Sequence, residues 1–114
     1  MKDRQYTNKR NYYRIRYPHS YRPKVRIQGE EHDNDIVELS ERGVRFLYKG
    51  ASQLSKGLEL CVNMMFYDDE HFQLEGEILR IEKEDVILRF SGSLPLSRIM
   101  KEQRYLRSRY IGHM

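Results

Sequence analysis

The sequence predicts a mainly β fold, a six- to seven-stranded antiparallel β-barrel with one C-terminal helix. Three observations carry that expectation. Leu58, Leu60, Val62, Met64 and Phe66 alternate with Glu59, Cys61, Asn63, Met65 and Tyr67, the period of a strand with one buried face. Shorter runs of the same period recur on both sides of it, separated by proline, glycine and acidic turns. After Pro95 the period changes: Leu96, Ile99, Met100, Leu106 and Tyr110 recur at helical spacing.

Taken in order, residues 1–8 show no periodicity and are expected to form a flexible tail, with a single domain over residues 9–114. Residues 11–17 read as extended, with Tyr13, Ile15 and Tyr17 on one face and Arg14 and Arg16 on the other. Pro18 and Pro23 bracket a short connection. Val25 and Ile27 continue as a strand to Gly29, and an acidic loop runs from Glu30 to Asp35. Ile36–Leu39 and Val44–Tyr48 form two strands around a Ser40–Gly43 turn. Asp68, Asp69 and Glu70 make a solvated hairpin turn after the long strand. The return strand holds Phe72, Leu74, Gly76 and Ile78, and its apolar phase then slips to Leu79 and Ile81, which predicts a bulge. Val86, Leu88 and Phe90 form the last strand. Pro95 suits the first turn of the helix. That helix caps an open end of the barrel, with Arg98, Lys101, Arg104 and Arg107 on its polar face.

With 114 residues, 39% hydrophobic and 33% charged, the chain has the balance of one soluble globular domain. No apolar run approaches the ~20 residues of a membrane span, and the basic start has no secretory character, so a cytoplasmic location is expected. Cys61 is the single cysteine, which leaves no internal disulfide. The histidines (His19, His32, His71 and His113) lack metal-ligand spacing, and no nucleophile or phosphate-loop motif occurs. Neither a metal site nor an enzyme is expected.

Charge is segregated. Residues 1–26 carry nine basic side chains and one acid, residues 27–96 seven and fifteen, and residues 97–114 five and one. The basic start also holds Tyr6, Tyr12, Tyr13, Tyr17 and Tyr21, and arginine interleaved with aromatic rings suits a flat anionic ligand. Within it, Arg10 and Arg14 lie four apart on an extended segment, projecting from one side roughly 13 Å apart. Glu38-Leu39-Ser40-Glu41-Arg42-Gly43 follows, supplying an acceptor, a hydroxyl and a glycine turn.

Together these segments resemble the PilZ domain, a bacterial receptor for cyclic di-GMP. Arg10 and Arg14 match that family's R-x-x-x-R segment, and Ser40 and Gly43 match its (D/N)-x-S-x-x-G segment, with Glu38 where the family has Asp or Asn. The resemblance implies that Arg10, Arg14, Glu38, Ser40 and Gly43 hold cyclic di-GMP. Arginine can grip its phosphates, donate to guanine O6 and N7, or stack on the base. The resemblance also gives Lys9 an influence on whether one ligand or a stacked pair binds, and its positive charge favours the pair. Asn11, Arg16 and Arg45 are further candidates. Glu38 either accepts from guanine or pairs with Arg42 or Arg45. The implied function is an adaptor that changes conformation on binding and regulates an unidentified downstream protein in motility, biofilm formation or virulence. Two alternatives stay open: a nucleic-acid-binding barrel using the basic start, and a degenerate PilZ adaptor that binds no nucleotide.

Overall fold

The structure, a computed structural model, describes residues 14–110. Its strands are β1 (Ile15–Arg16), β2 (Lys24–Ile27), β3 (Asn34–Leu39), β4 (Gly43–Leu47), β5 (Glu59–Met65), β6 (His71–Glu82) and β7 (Asp85–Phe90). A 3-10 turn spans Ala51–Gln53, and one helix, α1, runs Leu96–Arg109. All strand pairs are antiparallel. β2, β5, β6, β7 and β4 follow in sequence around the wall, and β3 closes it by pairing with both β4 and β2. The result is a closed six-strand barrel with one extra strand and a C-terminal helix, in agreement with the six- to seven-stranded barrel and terminal helix expected from the sequence.

The extra strand shares an edge with its neighbour. β2 occupies β3 at Asn34 and Asp35, and β1 occupies the same edge further on, at Glu38 and Leu39. Between them the Ile36 amide donates to the Pro23 carbonyl and the Tyr17 amide to the Val37 carbonyl. Pro18–Arg22 leaves the sheet as a loop between these two points. β1 ends at Arg16 for this reason: the chain turns away from the sheet after Tyr17.

Alternation sorts side chains as expected along most strands. Val25, Ile27, Ile36, Val44, Phe46, Val62, Met64, Val86, Leu88 and Phe90 are buried in one cluster. The predicted bulge in β6 is present as a register shift between Ile78 and Arg80 against β7. It turns Leu79 outward, 39% exposed, while Ile78 stays in the core. Leu58 departs from its expected place. It precedes the start of β5, where the wall no longer covers it, and is 41% exposed.

The helix departs more. Ile99 and Leu106 join the barrel core, but Met100 is 43% exposed, while Arg98 and Glu102 are 2% and 0% exposed. Arg98 is therefore not on the polar face, and the Asp68–Glu70 turn is not merely solvated. The Arg98 guanidinium donates to Glu102 at 2.6 Å, to both Asp68 oxygens at 3.0 Å and to Glu70 at 2.6 Å. Its carbon lies 4.4 Å from the centre of the Phe66 ring. Lys101 completes the cluster at 2.8 Å from Asp68.

Tyr17 and Tyr21 close the network from the strand side, their hydroxyls donating to Glu102 Oε1 at 2.7 and 3.2 Å. Burial pushes the Tyr17 phenol well above its ordinary pKa, and the Glu102 charge adds to this. Glu102 itself is raised because burial outweighs the bonds from Tyr17 and Arg98. Asp68 is held well below the usual carboxylate range by Lys101, and further by Arg98, against the opposing effect of burial. These groups fasten the residue that follows β1 to the helix.

Candidate functional site

Five strands build one continuous row on the outer wall of the barrel. Cross-strand register places Arg16 of β1 beside Glu38 of β3, Glu38 beside Arg45 of β4, Arg45 beside Ile87 of β7, and Ile87 beside Arg80 of β6. Arg16, Glu38, Arg45 and Ile87 face outward because their chain neighbours Ile15, Leu39, Val44, Phe46, Val86 and Leu88 face the core, and Arg80 is exposed just past the bulge in β6. Above this row lies an open groove of about 440 Å³. Arg14, Arg16, Arg42, Arg45, Arg80 and Arg89 line it, Glu38 is its one acidic residue among those described, and Leu79 and Ile87 supply apolar surface between the cations. The bulge in β6 brings Leu79 to this surface.

The Ser40–Gly43 turn forms one end. The Ser40 amide donates to the Gly43 carbonyl at 2.9 Å and its hydroxyl to the same oxygen at 3.4 Å. The turn is tied to the rest of the fold through Arg42, whose carbonyl accepts from the Phe90 amide, and Glu41, whose carbonyl accepts from Leu94. Gly43 is explained by close approach rather than by an unusual backbone angle. A Cβ there would stand 2.7 Å from the Leu88 carbonyl oxygen of β7, inside contact distance. Glycine lets β4 and β7 meet directly beneath the groove.

Charge within the groove is arranged in layers. Arg45 is anchored from below by a two-pronged bond to Asp85, Nε to Oδ1 at 3.0 Å and the terminal nitrogen to Oδ2 at 2.9 Å. That bond raises the Arg45 pKa against the effect of burial, and Arg45 in turn holds Asp85 below its ordinary value. The other terminal nitrogen of Arg45 lies 3.7 Å from Glu38 Oε2. The same oxygen accepts from Arg16 Nε at 3.0 Å, with a second Arg16 nitrogen also at 3.0 Å. Glu38 therefore sits between two guanidinium groups, and the expected partner Arg45 is joined by Arg16.

Of the residues expected to bind a ligand, Arg14, Glu38, Ser40 and Gly43 converge on this groove. Lys9, Arg10 and Asn11 lie outside the described residues. Arg80 and Arg89 were not singled out from the sequence. Arg89 could have been read from the alternation of β7, whereas Arg80 reaches the groove only through the register across a bulge. The expectation that tyrosines of the basic start stack on a ligand is corrected for Tyr17 and Tyr21. Tyr17 is 3% exposed, and Tyr21 meets the rings of Tyr17, Tyr67 and Tyr105 edge-on at 5.0–6.4 Å, beside the helix. Tyr6, Tyr12 and Tyr13 lie outside the described residues. Among those described, no group of three or more His, Cys, Asp or Glu side chains could hold a metal, and no helix is long and apolar enough to cross a membrane.

A closed antiparallel barrel, an extra N-terminal strand, a terminal helix and an arginine-lined groove on the outer wall define the class: a small β-barrel module with a cationic groove. The family model of the PilZ domain matches residues 8–108, and the chain belongs to that family. No curated protein matches the sequence. Among solved structures, an uncharacterized Legionella protein is similar with a TM-score of 0.59 and 17% identity, covering 83% of this chain and 94% of its own. The Bacillus subtilis inhibitor of motility, MotI/DgrA, is similar with a TM-score of 0.63 and 17% identity. That match covers 81% of this chain and 49% of the motility inhibitor, so the present chain corresponds to about half of it. At such identities the likeness is one of fold.

Proposed function

We propose that this chain is a non-enzymatic cyclic di-GMP receptor that acts as an adaptor on a downstream protein. One observation carries the reading: Arg14 and the Ser40–Gly43 turn border a single groove that, among the described residues, is lined by six arginines and one carboxylate. Family membership supplies the ligand class. A cyclic dinucleotide offers two phosphates for guanidinium groups and flat bases for the apolar surface of Leu79 and Ile87. Arg10 and Lys9, four and five residues before Arg14, join the same ligand from the N-terminal side. The number of arginines favours a stacked pair of ligands over one.

Engagement of Arg14 leads directly to β1 and to Tyr17, which is bonded to Glu102 of the helix. Ligand binding thus changes the surface around β1 and α1, and a partner in the bacterial cytoplasm reads that change. Motility, biofilm formation or virulence is the setting that the family and the similarity to a motility inhibitor suggest. A single-stranded nucleic acid fits less well, because among the described residues no aromatic ring lines the groove to stack bases. A nucleotide-free adaptor is favoured by one feature, the engagement of Glu38 with Arg16 and Arg45 rather than with open solvent.

Calorimetric titration with cyclic di-GMP tests the proposal. The wild-type chain binds, and Arg14→Ala loses one charge-assisted contact worth ~1.5–3 kcal/mol, a roughly tenfold to hundredfold weakening. Equal affinity in the variant removes the groove as the binding site.

A further inference from the structure

Resting on that reading, we propose that Glu38 is a built-in competitor for the arginines of the groove, a resident carboxylate that an anionic ligand must displace. Its Oε2 takes two contacts from Arg16 at 3.0 Å and a third from Arg45 at 3.7 Å. The side chain is only 13% exposed although it borders open space, whereas Arg16 is 76% exposed. Glu38 is therefore drawn down between its neighbours while Arg16 folds over it. Register makes the arrangement intrinsic to the sheet, since Arg16, Glu38 and Arg45 are direct cross-strand partners.

The two arginines are not equivalent. Arg45 is already satisfied on its far side by Asp85, so its contact with Glu38 is the long one. Arg16 stands on the two-residue strand β1, and its contact with Glu38 adds to the short ladder that holds this strand. A phosphate entering the groove meets the same Arg16 nitrogens that Glu38 occupies, and it also meets the negative charge of Glu38. Both effects oppose an anion. Asp and Asn, the residues of the family motif, are one methylene shorter, and Asn has no charge. Glutamate at this position sets a weaker affinity and a higher threshold concentration of messenger.

The opposite role is also chemically available: a carboxylate that accepts hydrogen bonds from a guanine edge. The sign of one substitution separates the two. Glu38→Gln keeps the length and an acceptor oxygen but removes the charge. Cyclic di-GMP is titrated calorimetrically into the full chain as wild type, Glu38→Gln, Arg16→Ala and the double variant. Release of an exposed ion pair and of like-charge repulsion predicts a roughly three- to tenfold tighter binding for Glu38→Gln. In the Arg16→Ala background the same change gains less, because the contested cation is gone. Binding by Glu38→Gln where the wild type gives no heat supports the proposal most strongly. Weaker or unchanged binding by Glu38→Gln, with a binding wild type, overturns it and leaves the receptor reading intact. No heat in wild type and Glu38→Gln alike overturns both. Far-ultraviolet circular dichroism and thermal unfolding of each variant confirm that the fold is retained.

Discussion

Replacing Arg98 by methionine tests how the helix is held to the barrel. The Arg98 side chain is 1% exposed, and among the described residues it is the cation paired with Glu102, 0% exposed. Methionine keeps an unbranched apolar side chain in the buried position but loses the charge, the hydrogen bonds and the guanidinium stacked 4.4 Å from the Phe66 ring centre. Asp68 and Glu70 remain partly exposed and regain water, which makes their loss of a partner cheap. Glu102 has no such relief. A buried carboxylate deprived of its cation costs about 3–5 kcal/mol, less whatever it recovers by taking up a proton. With a urea m-value of ~1.5–2 kcal/mol per molar, the unfolding midpoint of Arg98→Met falls by roughly 2 M. The double variant Arg98→Met with Glu102→Leu removes the orphaned charge and is more stable than Arg98→Met alone. It does not regain wild-type stability until Tyr17→Phe is added, because the Tyr17 hydroxyl would lack its acceptor, a cost of ~1–3 kcal/mol. Equilibrium urea unfolding, followed by circular dichroism and tyrosine fluorescence, measures all three. A loss below ~1 kcal/mol in Arg98→Met, or a double variant weaker than the single, refutes the reasoning.

Gly43→Ala places a methyl 2.7 Å from a carbonyl oxygen of β7 and forces β4 and β7 apart, costing ~1–3 kcal/mol in urea unfolding and weakening ligand binding together. Unchanged stability shows that the strands separate freely. Acid stability has a defined sign. Asp68 has a folded pKa below its ordinary value, so its contribution is fully present above ~pH 4 and is lost as pH falls through and below that value. Asp68→Asn therefore flattens the acid limb of the stability curve, and an unaltered slope contradicts the assignment. Glu102, with a raised pKa, acts in the opposite sense: its contribution declines as pH rises from ~4 toward its folded value.

The strands were legible in the sequence because each buries one face, and the bulge was legible because a slip in apolar phase has no other cheap explanation. The end of β1 was less so, since it depends on how β1 and β2 divide the edge of β3. Arg98 was misread for a definite reason: an arginine on an amphipathic helix, here with Lys101, Arg104 and Arg107, ordinarily marks the wet side. Its i,i+4 partner Glu102 was visible, but the carboxylates of the 68–70 turn that complete the cluster come from a distant hairpin. The groove was legible at Arg14, Glu38, Ser40 and Gly43 through a sequence motif. Arg80 and Arg89 belong to it only through sheet closure, which no local pattern announces. Tyr17 and Tyr21 share the basic start with the arginines, yet alternation and the Pro18–Arg22 loop send them to the helix.

The most direct test is a calorimetric titration of cyclic di-GMP into the purified chain beside Arg14→Ala. The account predicts saturable binding by the wild type and a tenfold or greater loss in the variant. Saturable binding that is indifferent to Arg14, or no binding by either wild type or Glu38→Gln, contradicts it.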